Sequence, residues 1–494
     1  MDDHISELPN DILSYILTML SIKDLLKTSV LSKRWCKLWG LRKHLYFDIY
    51  SVLGPEKELL EKGYLTDVTV DIVYSRTYRC VNLDLGPKEF IKRVDQFLNN
   101  FPGTAMDSFF VNFYFDCEQS NTIDRWICFA IARGVERINL LFRWWPYTAN
   151  CTTQNKLYKL DFGLFTDTIT NVSTLKHLRL EKCLVCHPTN CDLTPFKHLR
   201  SLSLEFVKVD EIFIESLLSN CQLLRELSLV HCEFNSSTPK IVSSSLYHLK
   251  VLGCCKVSSN NFTRFMRLIL VDCFRLTSLE CCGNDLSALN TNTRVLKRIN
   301  FSIYFDEIEN YLNAFALCAT FPELEIMRLK IYTITMDLLQ VATSLKIAQP
   351  LEHLKQLDCI IYLPFDTINE ECDLMMIFNI LQASPLLQKL SIMIAEPKFF
   401  EKQKDIRDVE IFSHDEIKVI EFGGCVGNWF EIEFVMNILK YAHKLEQIVV
   451  SPYFREDDSS NWMFDPLWFQ SGRERMIEKL QGEEVVGREK LMFI

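Results

Sequence analysis

Residues 175–183 read LKHLRLEKC, and residues 224–232 read LRELSLVHC. Both stretches follow the pattern L-x-x-L-x-L and place a cysteine eight residues after the first leucine. The two later leucines, separated by one residue, predict a short strand with one apolar face, because alternate strand residues point to opposite sides. The cysteine predicts a turn that admits only a small buried side chain. The two stretches therefore predict a repeated unit built around one short strand.

The same pattern, or a close apolar variant, recurs along most of the chain. It begins at residues 175, 199, 224, 276, 296, 324, 387, 417 and 445. Several intervals lie between about 20 and 30 residues, which is close to the period of a leucine-rich repeat. Cysteines at the same eighth position follow other apolar starts, and these are Cys254, Cys273, Cys359 and Cys425. We therefore expect a solenoid shaped as a horseshoe, with parallel strands on its concave face.

Amphipathic helices are predicted between the strands. Residues 88–101, KEFIKRVDQFLNNF, and residues 372–382, CDLMMIFNILQ, each carry apolar side chains at helical spacing. A strand and a helix thus alternate along the chain, which predicts an α/β fold. The repeats are expected to start near residue 85 and to continue to about residue 455.

The beginning of the chain follows a different pattern. Residues 8–20, LPNDILSYILTML, predict a short helix with a wide apolar stripe, and Ser21 with Asp24 can cap a second helix. Trp35 and Trp39 are spaced by one helical turn and predict a third. Three short helices cannot bury this much apolar surface among themselves, so part of it is expected to contact another protein.

Residues 7–39 resemble an F-box. The resemblance rests on Leu8-Pro9, the leucines of the first helix, Val30-Leu31-Ser32 and the two tryptophans. It implies a small all-α three-helix unit that binds a Skp-type adaptor and, through it, a cullin ubiquitin ligase. The residues that it implies for adaptor binding are Leu8, Pro9, Ile12, Leu13, Ile16, Leu17, Leu20, Val30, Leu31, Trp35 and Trp39. For Trp35 and Trp39, a role in the core of the three-helix unit is an equal alternative.

Two further stretches are similar to plant F-box/leucine-rich-repeat proteins. Residues 122–142 resemble the segment after the F-box, and residues 405–452 resemble the FBD region that ends many of these proteins. The expected organisation is F-box, connecting segment, leucine-rich repeats, FBD-like region that continues the repeats, and C-terminal cap or tail. The corresponding bounds are 1–45, 46–85, 86–400, 401–455 and 456–494.

Composition limits the classes of partner and the compartment. The chain has 494 residues and a net charge of -10, so it offers no broad basic surface for nucleic acid. No apolar run is long enough for a membrane span, and the acidic start is unlike a signal peptide. The 19 cysteines are therefore expected to be reduced and buried, in a protein of the cytoplasm, the nucleus or both.

One short motif suggests a cofactor. Residues 183–187 spell C-x-x-C-H, which is the haem-attachment pattern, and Cys191 nearby could suggest a metal site. Cys183, however, occupies the cysteine position of the repeat, and no second C-x-x-C follows at zinc-finger spacing. No catalytic motif such as H-E-x-x-H or G-x-S-x-G is present. We therefore expect no cofactor, no metal and no enzymatic activity.

The F-box and the repeats together imply the substrate-recognition subunit of a Skp, cullin and F-box ubiquitin ligase. Alternation along the strands predicts a target-binding face made of His177, Arg179, Ser201, Ser203, Glu226, Ser228, His248 and Lys250. Two alternatives remain open: a repeat scaffold that does not direct degradation, and a sensor that binds a small molecule on the concave face. The sequence does not identify the target protein.

Overall fold

A computed structural model of the protein describes most of the chain. The residues outside this description are 1–4, 6, 29–34, 70–76, 83–84, 143–156, 166–173, 186–192, 236–239, 257–263, 266–268, 283–288, 292, 305–314, 333–346, 348, 363–373, 396, 398, 401–404, 409–412, 456–461, 465–470 and 483–486. The chain forms two compact units. Unit 1 comprises residues 1–246 and 253–265, and unit 2 comprises residues 247–252 and 266–494.

The α-helices lie mainly at the start of unit 1 and in the later part of unit 2. In chain order they are α1 (Asn10–Thr18), α2 (Ile22–Thr28), α3 (Trp35–Leu38), α4 (Ile49–Leu53), α5 (Glu56–Glu61), α6 (Gly86–Asn100), α7 (Ser120–Ile131), α8 (Glu211–Asn220), α9 (Met375–Gln382), α10 (Trp429–Tyr441) and α11 (Arg473–Gly482). Helix α2 begins as predicted from its cap, because the amide of Asp24 donates to Ser21 Oγ at 3.0 Å.

Each unit contains a parallel sheet. The sheet strands of unit 1 are β1 (His44–Asp48), β2 (Ser108–Asn112), β3 (Arg137–Leu141), β4 (His177–Glu181), β5 (Ser201–Glu205) and β6 (Glu226–Val230). Those of unit 2 are β7 (His248–Leu252), β8 (Ser278–Cys282), β9 (Arg298–Tyr304), β10 (Ile326–Tyr332), β11 (Gln356–Tyr362), β12 (Lys389–Ala395), β13 (Val419–Gly423), β14 (Gln447–Val450) and β15 (Leu491–Phe493). Within each unit every strand pairs with the next one in sequence.

The sheet of unit 1 has one buried face and one polar face. Leu178 and Leu180 of β4 are in register with Leu202 and Leu204 of β5, and all four side chains are buried. The residues between them point to the opposite side, which we call the outer face of unit 1. The L-x-L spacing produces this result, since a strand repeats its direction every second residue.

A second set of short parallel strands follows the main strands of unit 1. It contains Tyr158–Leu160, Cys183–Val185, Lys208–Val209, Glu233–Phe234 and Cys255–Lys256, with Arg264–Phe265 antiparallel at its end. Four other short strands form two antiparallel hairpins, Leu65–Thr69 with Thr77–Val81 and Tyr453–Arg455 with Trp462–Phe464. The remaining short strands are Lys240–Val242, Ile269–Asp272 and Leu289–Thr291.

The repeat cysteines have a specific role in the turn that joins a main strand to the short strand after it. Cys232 Sγ donates to the carbonyl of Leu204 at 3.3 Å, and Cys254 Sγ donates to the carbonyl of Leu229 at 3.4 Å. Each thiol therefore donates to a backbone carbonyl of the preceding repeat. The position needs a small buried side chain, which at Cys232 and Cys254 also donates a hydrogen bond and which at Val207 does not.

The residue before the cysteine position is left-handed in successive repeats of unit 1. The φ angles are 52° at Lys182, 51° at Phe206, 49° at His231 and 58° at Gly253. The rings of Phe206 and His231 stack with centroids 4.7 Å apart. The sharp turn from the main strand into the short strand thus uses the same backbone conformation each time, even where the residue is not glycine.

In unit 2, helix α10 is buried along nearly its whole length, including two acidic residues. Glu431 Oε2 accepts hydrogen bonds from the amides of Val426, Gly427 and Asn428. Glu433 binds Arg407, whose Nη2 donates to Oε1 at 2.6 Å. The contacts of Glu431 hold the loop before helix α10, and the contact of Glu433 holds the segment at Arg407 against the same helix.

The structure differs from the sequence-based expectations in three places. Strand β1 already belongs to the sheet, so pairing starts before the region expected near residue 85. Cys359 lies inside the seven-residue strand β11 and not at a turn, because the unit 2 strand there starts two residues after Leu354. At the chain's end, β15 pairs with β14, so the expected cap or tail contributes an edge strand to the sheet.

Candidate functional site

Helix α1 divides its apolar side chains between two faces. Leu13 and Leu17 are completely buried in the chain. Ile12, Tyr15 and Met19 are 47%, 65% and 69% exposed. These three residues, spaced by three and four positions, form one stripe along the helix, which we call the α1 ridge. Exposed apolar side chains on successive helical turns make the α1 ridge a candidate contact surface.

The other predicted adaptor residues occupy different environments. Leu8, Ile16 and Leu20 are half-buried beside the ridge, and Pro9 is exposed. Trp35 and Trp39 are each only 7% exposed. Leu13, Leu17 and the two tryptophans therefore pack inside the unit in this structure. Val30 and Leu31 lie outside the described residues.

Trp39 joins the helical start of the chain to the first repeat. Its ring lies 5.1 Å from the ring of Phe97 and 5.7 Å from that of Phe101, both in edge-on contacts. Phe47 of β1 packs on the same Phe97 at 5.6 Å. This aromatic cluster makes the three-helix unit and the beginning of the sheet parts of one core.

Arg42 strengthens the same connection. Its side chain is buried and donates to the carbonyls of Leu20 at 3.0 Å and His44 at 2.8 Å. A third, longer bond reaches the carbonyl of Thr18, the last residue of α1. Burial lowers the pKa of Arg42 to about 10, so the guanidinium is still charged at neutral pH. A cation at the carboxyl end of a helix is also favoured by the helix dipole.

Six of the predicted target-binding residues lie on the outer face of unit 1. His177 of β4, Ser201 of β5 and Glu226 of β6 form one row in register. Arg179, Ser203 and Ser228 form the next row. Arg179 is bound to Glu205 at 3.0 Å. Burial lowers the pKa of His177 below its usual range, and the nearby charge of Arg137 lowers it further, so this histidine is neutral at pH 7.

The remaining two residues, His248 and Lys250, lie on strand β7 in unit 2. They are in register with Ser278 and Glu280 of β8. Lys250 Nζ is 3.2 Å from Glu280. The sheet of unit 2 carries similar cross-strand pairs, such as Lys389 with Glu421 at 2.7 Å. Because these charges already have partners, a ligand there would have to compete with them.

The candidate cofactor motif is only partly described. Cys183 is buried, and burial raises the pKa of its thiol well above the usual range. Cys186, His187 and Cys191 lie outside the described residues. Within the described part of the chain, no group of three histidine, cysteine or acidic side chains is arranged to hold a metal ion. In that same part, no helix is both long and apolar enough to cross a membrane.

The sequence-based prediction missed four residues of these surfaces. Tyr15 and Met19 extend the α1 ridge, and their spacing from Ile12 was a signal that could have identified them. Tyr46 of β1 and Phe110 of β2 stack on the outer face of unit 1, with ring centroids 4.4 Å apart. Their strands precede the L-x-x-L-x-L starts, so the pattern did not include them.

Comparison with known protein families gives one match for the helical start of the chain and one for the repeats. The sequence profile of the F-box domain matches residues 5–45, and the profile described as At1g61320/AtMIF1, LRR domain, matches residues 97–463. The second match covers well over half of the chain. It also spans sheet strands from both units.

Curated relatives from Arabidopsis thaliana agree with these matches. The chain is 25% identical to F-box/FBD/LRR-repeat protein At1g13570, over 100% of this chain and 98% of that protein. It is 28% identical to F-box/LRR-repeat protein At3g58900, over 62% of this chain and 82% of the relative. FBD-associated F-box protein At5g22730 is 24% identical over 62% of this chain and 57% of its own length.

The structure and these comparisons confirm the predicted combination of a helical F-box with leucine-rich repeats. The three-helix start, the parallel sheets with one strand per repeat and the two profile matches agree with one another. The chain therefore belongs to the plant F-box/leucine-rich-repeat protein family, with relatives that include FBD-associated members.

Proposed function

We propose that this protein is the substrate-recognition subunit of a Skp, cullin and F-box ubiquitin ligase. The F-box binds a Skp-type adaptor, and the outer faces of the sheets bind a target protein. Other subunits transfer ubiquitin, so this chain does no chemistry itself. We place this activity in the cytoplasm, the nucleus or both.

The α1 ridge is the observation that carries the proposal. Ile12, Tyr15 and Met19 are exposed, whereas Leu13 and Leu17 on the neighbouring face are already buried. Covering three such side chains would contribute on the order of 5 kcal/mol to association before its costs. The profile match to an F-box at residues 5–45 supports a Skp-type adaptor as the occupant.

Co-expression with a Skp-type adaptor tests the proposal. The wild-type chain is expected to co-purify with the adaptor as a stoichiometric complex. The double variant Ile12→Glu/Met19→Glu should lose the adaptor, because two charges would have to be buried at the interface. Since both side chains are exposed in the free chain, the variant should retain its melting temperature.

A matched control has the same chemical change elsewhere in unit 1. Leu223 and Val242 are also exposed, so Leu223→Glu/Val242→Glu should bind the adaptor as the wild type does. Equal adaptor recovery from the wild type and from the α1 ridge variant would refute the proposed adaptor site. Reconstituted ubiquitin transfer to a captured target then distinguishes a ligase subunit from a scaffold that binds without directing degradation.

A further inference from the structure

The outer face of unit 1 changes its chemistry from one end to the other. At the β1 end, the stacked rings of Tyr46 and Phe110 occupy equivalent positions on adjacent strands, and we call them the aromatic pair. Tyr46 is 39% exposed, and Phe110 is half-buried. At the β5 and β6 end, the corresponding positions hold Ser203 and Ser228. Large rings are therefore concentrated next to the F-box, and small polar groups lie farther away.

Two exposed arginines lie at the starts of strands that follow the aromatic pair, Arg137 one strand beyond Phe110 and Arg200 three strands beyond it. Arg137 begins β3 and is in register with Ser108 on β2, two residues from Phe110 on the same strand. Arg200 directly precedes β5. Both guanidinium groups are near enough to His177 to lower its pKa. Neither arginine forms an ion pair with a carboxylate among the residues that the structure describes.

At the starts of these strands exposed cations still outnumber the carboxylates, because Lys43 and Arg225 lie in the same row as Arg200. Glu136 forms an ion pair with Lys176, and Glu205 forms one with Arg179. Asp107 is next to Arg137 and Glu226 is next to Arg200, because the amide of Arg137 donates to the carbonyl of Asp107 and the amide of Glu226 donates to the carbonyl of Arg200. The aromatic pair with Arg137 and Arg200 thus forms a small cationic and aromatic surface on a chain whose net charge is -10.

We propose that this surface recognises an acidic protein segment that carries one aromatic or long aliphatic side chain as its anchor. The inference rests on the proposed function, since it specifies the chemistry of the target at the same sheet face. The anchor packs on the aromatic pair, and carboxylates of the segment bind Arg137 and Arg200. Tyrosine and arginine are the residue types that most often dominate protein interfaces. The acidic remainder of the chain repels such a segment, so these cations select where it binds.

A protein segment fits this surface better than a nucleic acid does. A nucleic acid would require an unbroken stripe of cations to follow its phosphates, whereas here Asp107 and Glu226 lie beside the two arginines. The acidic stretch of the target is also expected to be short. Strand β3 and the start of β5 are separated by only one strand, and Glu226 follows on β6.

Peptide display on the full chain, purified with its Skp-type adaptor, tests this inference. The probe is a library of random twelve-residue peptides. Enriched peptides are expected to be rich in Asp and Glu and to contain Phe, Tyr, Trp, Leu or Met. A fluorescent copy of one enriched peptide should bind Arg137→Glu/Arg200→Glu at least about tenfold more weakly, because each carboxylate contact becomes a repulsion. Tyr46→Ser/Phe110→Ser should weaken binding through loss of the anchor contact.

Matched variants keep the test independent of folding. Lys159→Glu/Lys197→Glu makes the same charge change at exposed lysines outside the outer face and should bind the peptide as the wild type does. If Arg137→Glu/Arg200→Glu fails to fold, the single variant Arg137→Glu, at an exposed position, is measured in its place. Adaptor binding is measured in parallel for every variant. If the wild-type chain does not bind the adaptor, the proposed function is wrong. The three results described next concern only the chemistry of the target.

Three results would overturn the inference. Enrichment of peptides without acidic bias, or of no peptides at all, would exclude an acidic segment as the ligand. Unchanged peptide binding by both the arginine and the aromatic variants would place the peptide elsewhere. Displacement of the peptide by a twelve-nucleotide oligouridine at equal concentration would favour a nucleic acid over a protein segment.

Discussion

Glu431 is an acidic residue in the interior of unit 2 whose charge is supported by local hydrogen bonds. Its two carboxylate oxygens receive four donors from the loop that leads into helix α10, including the side-chain amide of Asn428 at 2.9 Å. These donors favour the ionised form, but burial opposes it more strongly and raises the pKa to about 7 from an ordinary 4.5. The residue therefore makes the stability of unit 2 depend on pH.

The direction of this dependence follows from the raised pKa of Glu431. Between pH 4.5 and 7 the folded chain keeps the proton that the unfolded chain has released, so the free energy of unfolding falls as the pH rises. The decline amounts to roughly 3 kcal/mol for a shift of this size. Glu431→Gln cannot ionise and should lack this part of the decline, although it is less stable because one oxygen is lost as an acceptor.

Chemical denaturation of the wild type and the Gln variant at pH 5 and pH 7.5 measures the effect. The exposed change Glu446→Gln is the control and should keep the wild-type dependence. If Glu431→Gln loses as much stability as the wild type between the two pH values, Glu431 is not the group responsible.

At the scale of the repeat element, the sequence predicted the turn but not its backbone conformation. The cysteine spacing located Cys232 and Cys254 correctly, because a small buried side chain is a strong local requirement. The left-handed residues of the four successive turns are Lys182, Phe206, His231 and Gly253, and the three that are not glycine gave no sign of a positive φ. In unit 2 the repeat begins at Leu354, two residues before β11, so the count of eight residues from Leu351 wrongly predicted a turn at Cys359.

Gly253 shows what the turn requires when a neighbouring ring is present. A Cβ at Gly253 would lie 2.3 Å from Nδ1 of His231, and its φ is also left-handed. Gly253→Ala should therefore destabilise unit 1 by two separate effects. At Gly63, where φ is +70° and no atom lies within 4 Å of the added Cβ, only the backbone effect applies.

Thermal unfolding separates the two effects. Gly63→Ala should cost about 1 kcal/mol through backbone strain alone. Gly253→Ala should cost at least about 1 kcal/mol more, because the ring of His231 must move. In a His231→Ala background this excess should disappear. An excess that persists without the ring would show that the contact with His231 is not its cause.

At the scale of the whole molecule, the sequence predicted the order of F-box and repeats, which the profile matches confirm. It did not predict where the apolar stripe of α1 divides. Eleven residues were candidates for the interface, yet four of them, Leu13, Leu17, Trp35 and Trp39, are buried. Burial by residues distant in sequence, such as Phe97 and Phe101, is a tertiary effect that helical spacing alone does not reveal.

Removing the F-box should damage unit 1, whereas altering the α1 ridge should not. Deletion of residues 1–43 removes Trp39 from the rings of Phe97 and Phe101, and loss of such a buried tryptophan typically costs about 3 to 5 kcal/mol. The deleted chain should show a lower yield of soluble protein and a lower melting temperature. Ile12→Glu/Met19→Glu should match the wild type in both measurements, and is the better form for capturing targets without the adaptor. Equal stability of the deleted chain and the ridge variant would contradict the shared core.

The shared aromatic core also limits how this protein can be recombined with others. An F-box exchanged as a cassette that ends at residue 45 would bring a foreign side chain against Phe97 and Phe101. A functional chimera should therefore join the parent chains after residue 101, so that the tryptophan and its two ring partners are inherited together. The boundary that matters for engineering is thus the edge of a packed cluster, about fifty-six residues beyond the edge of the motif (101 against 45).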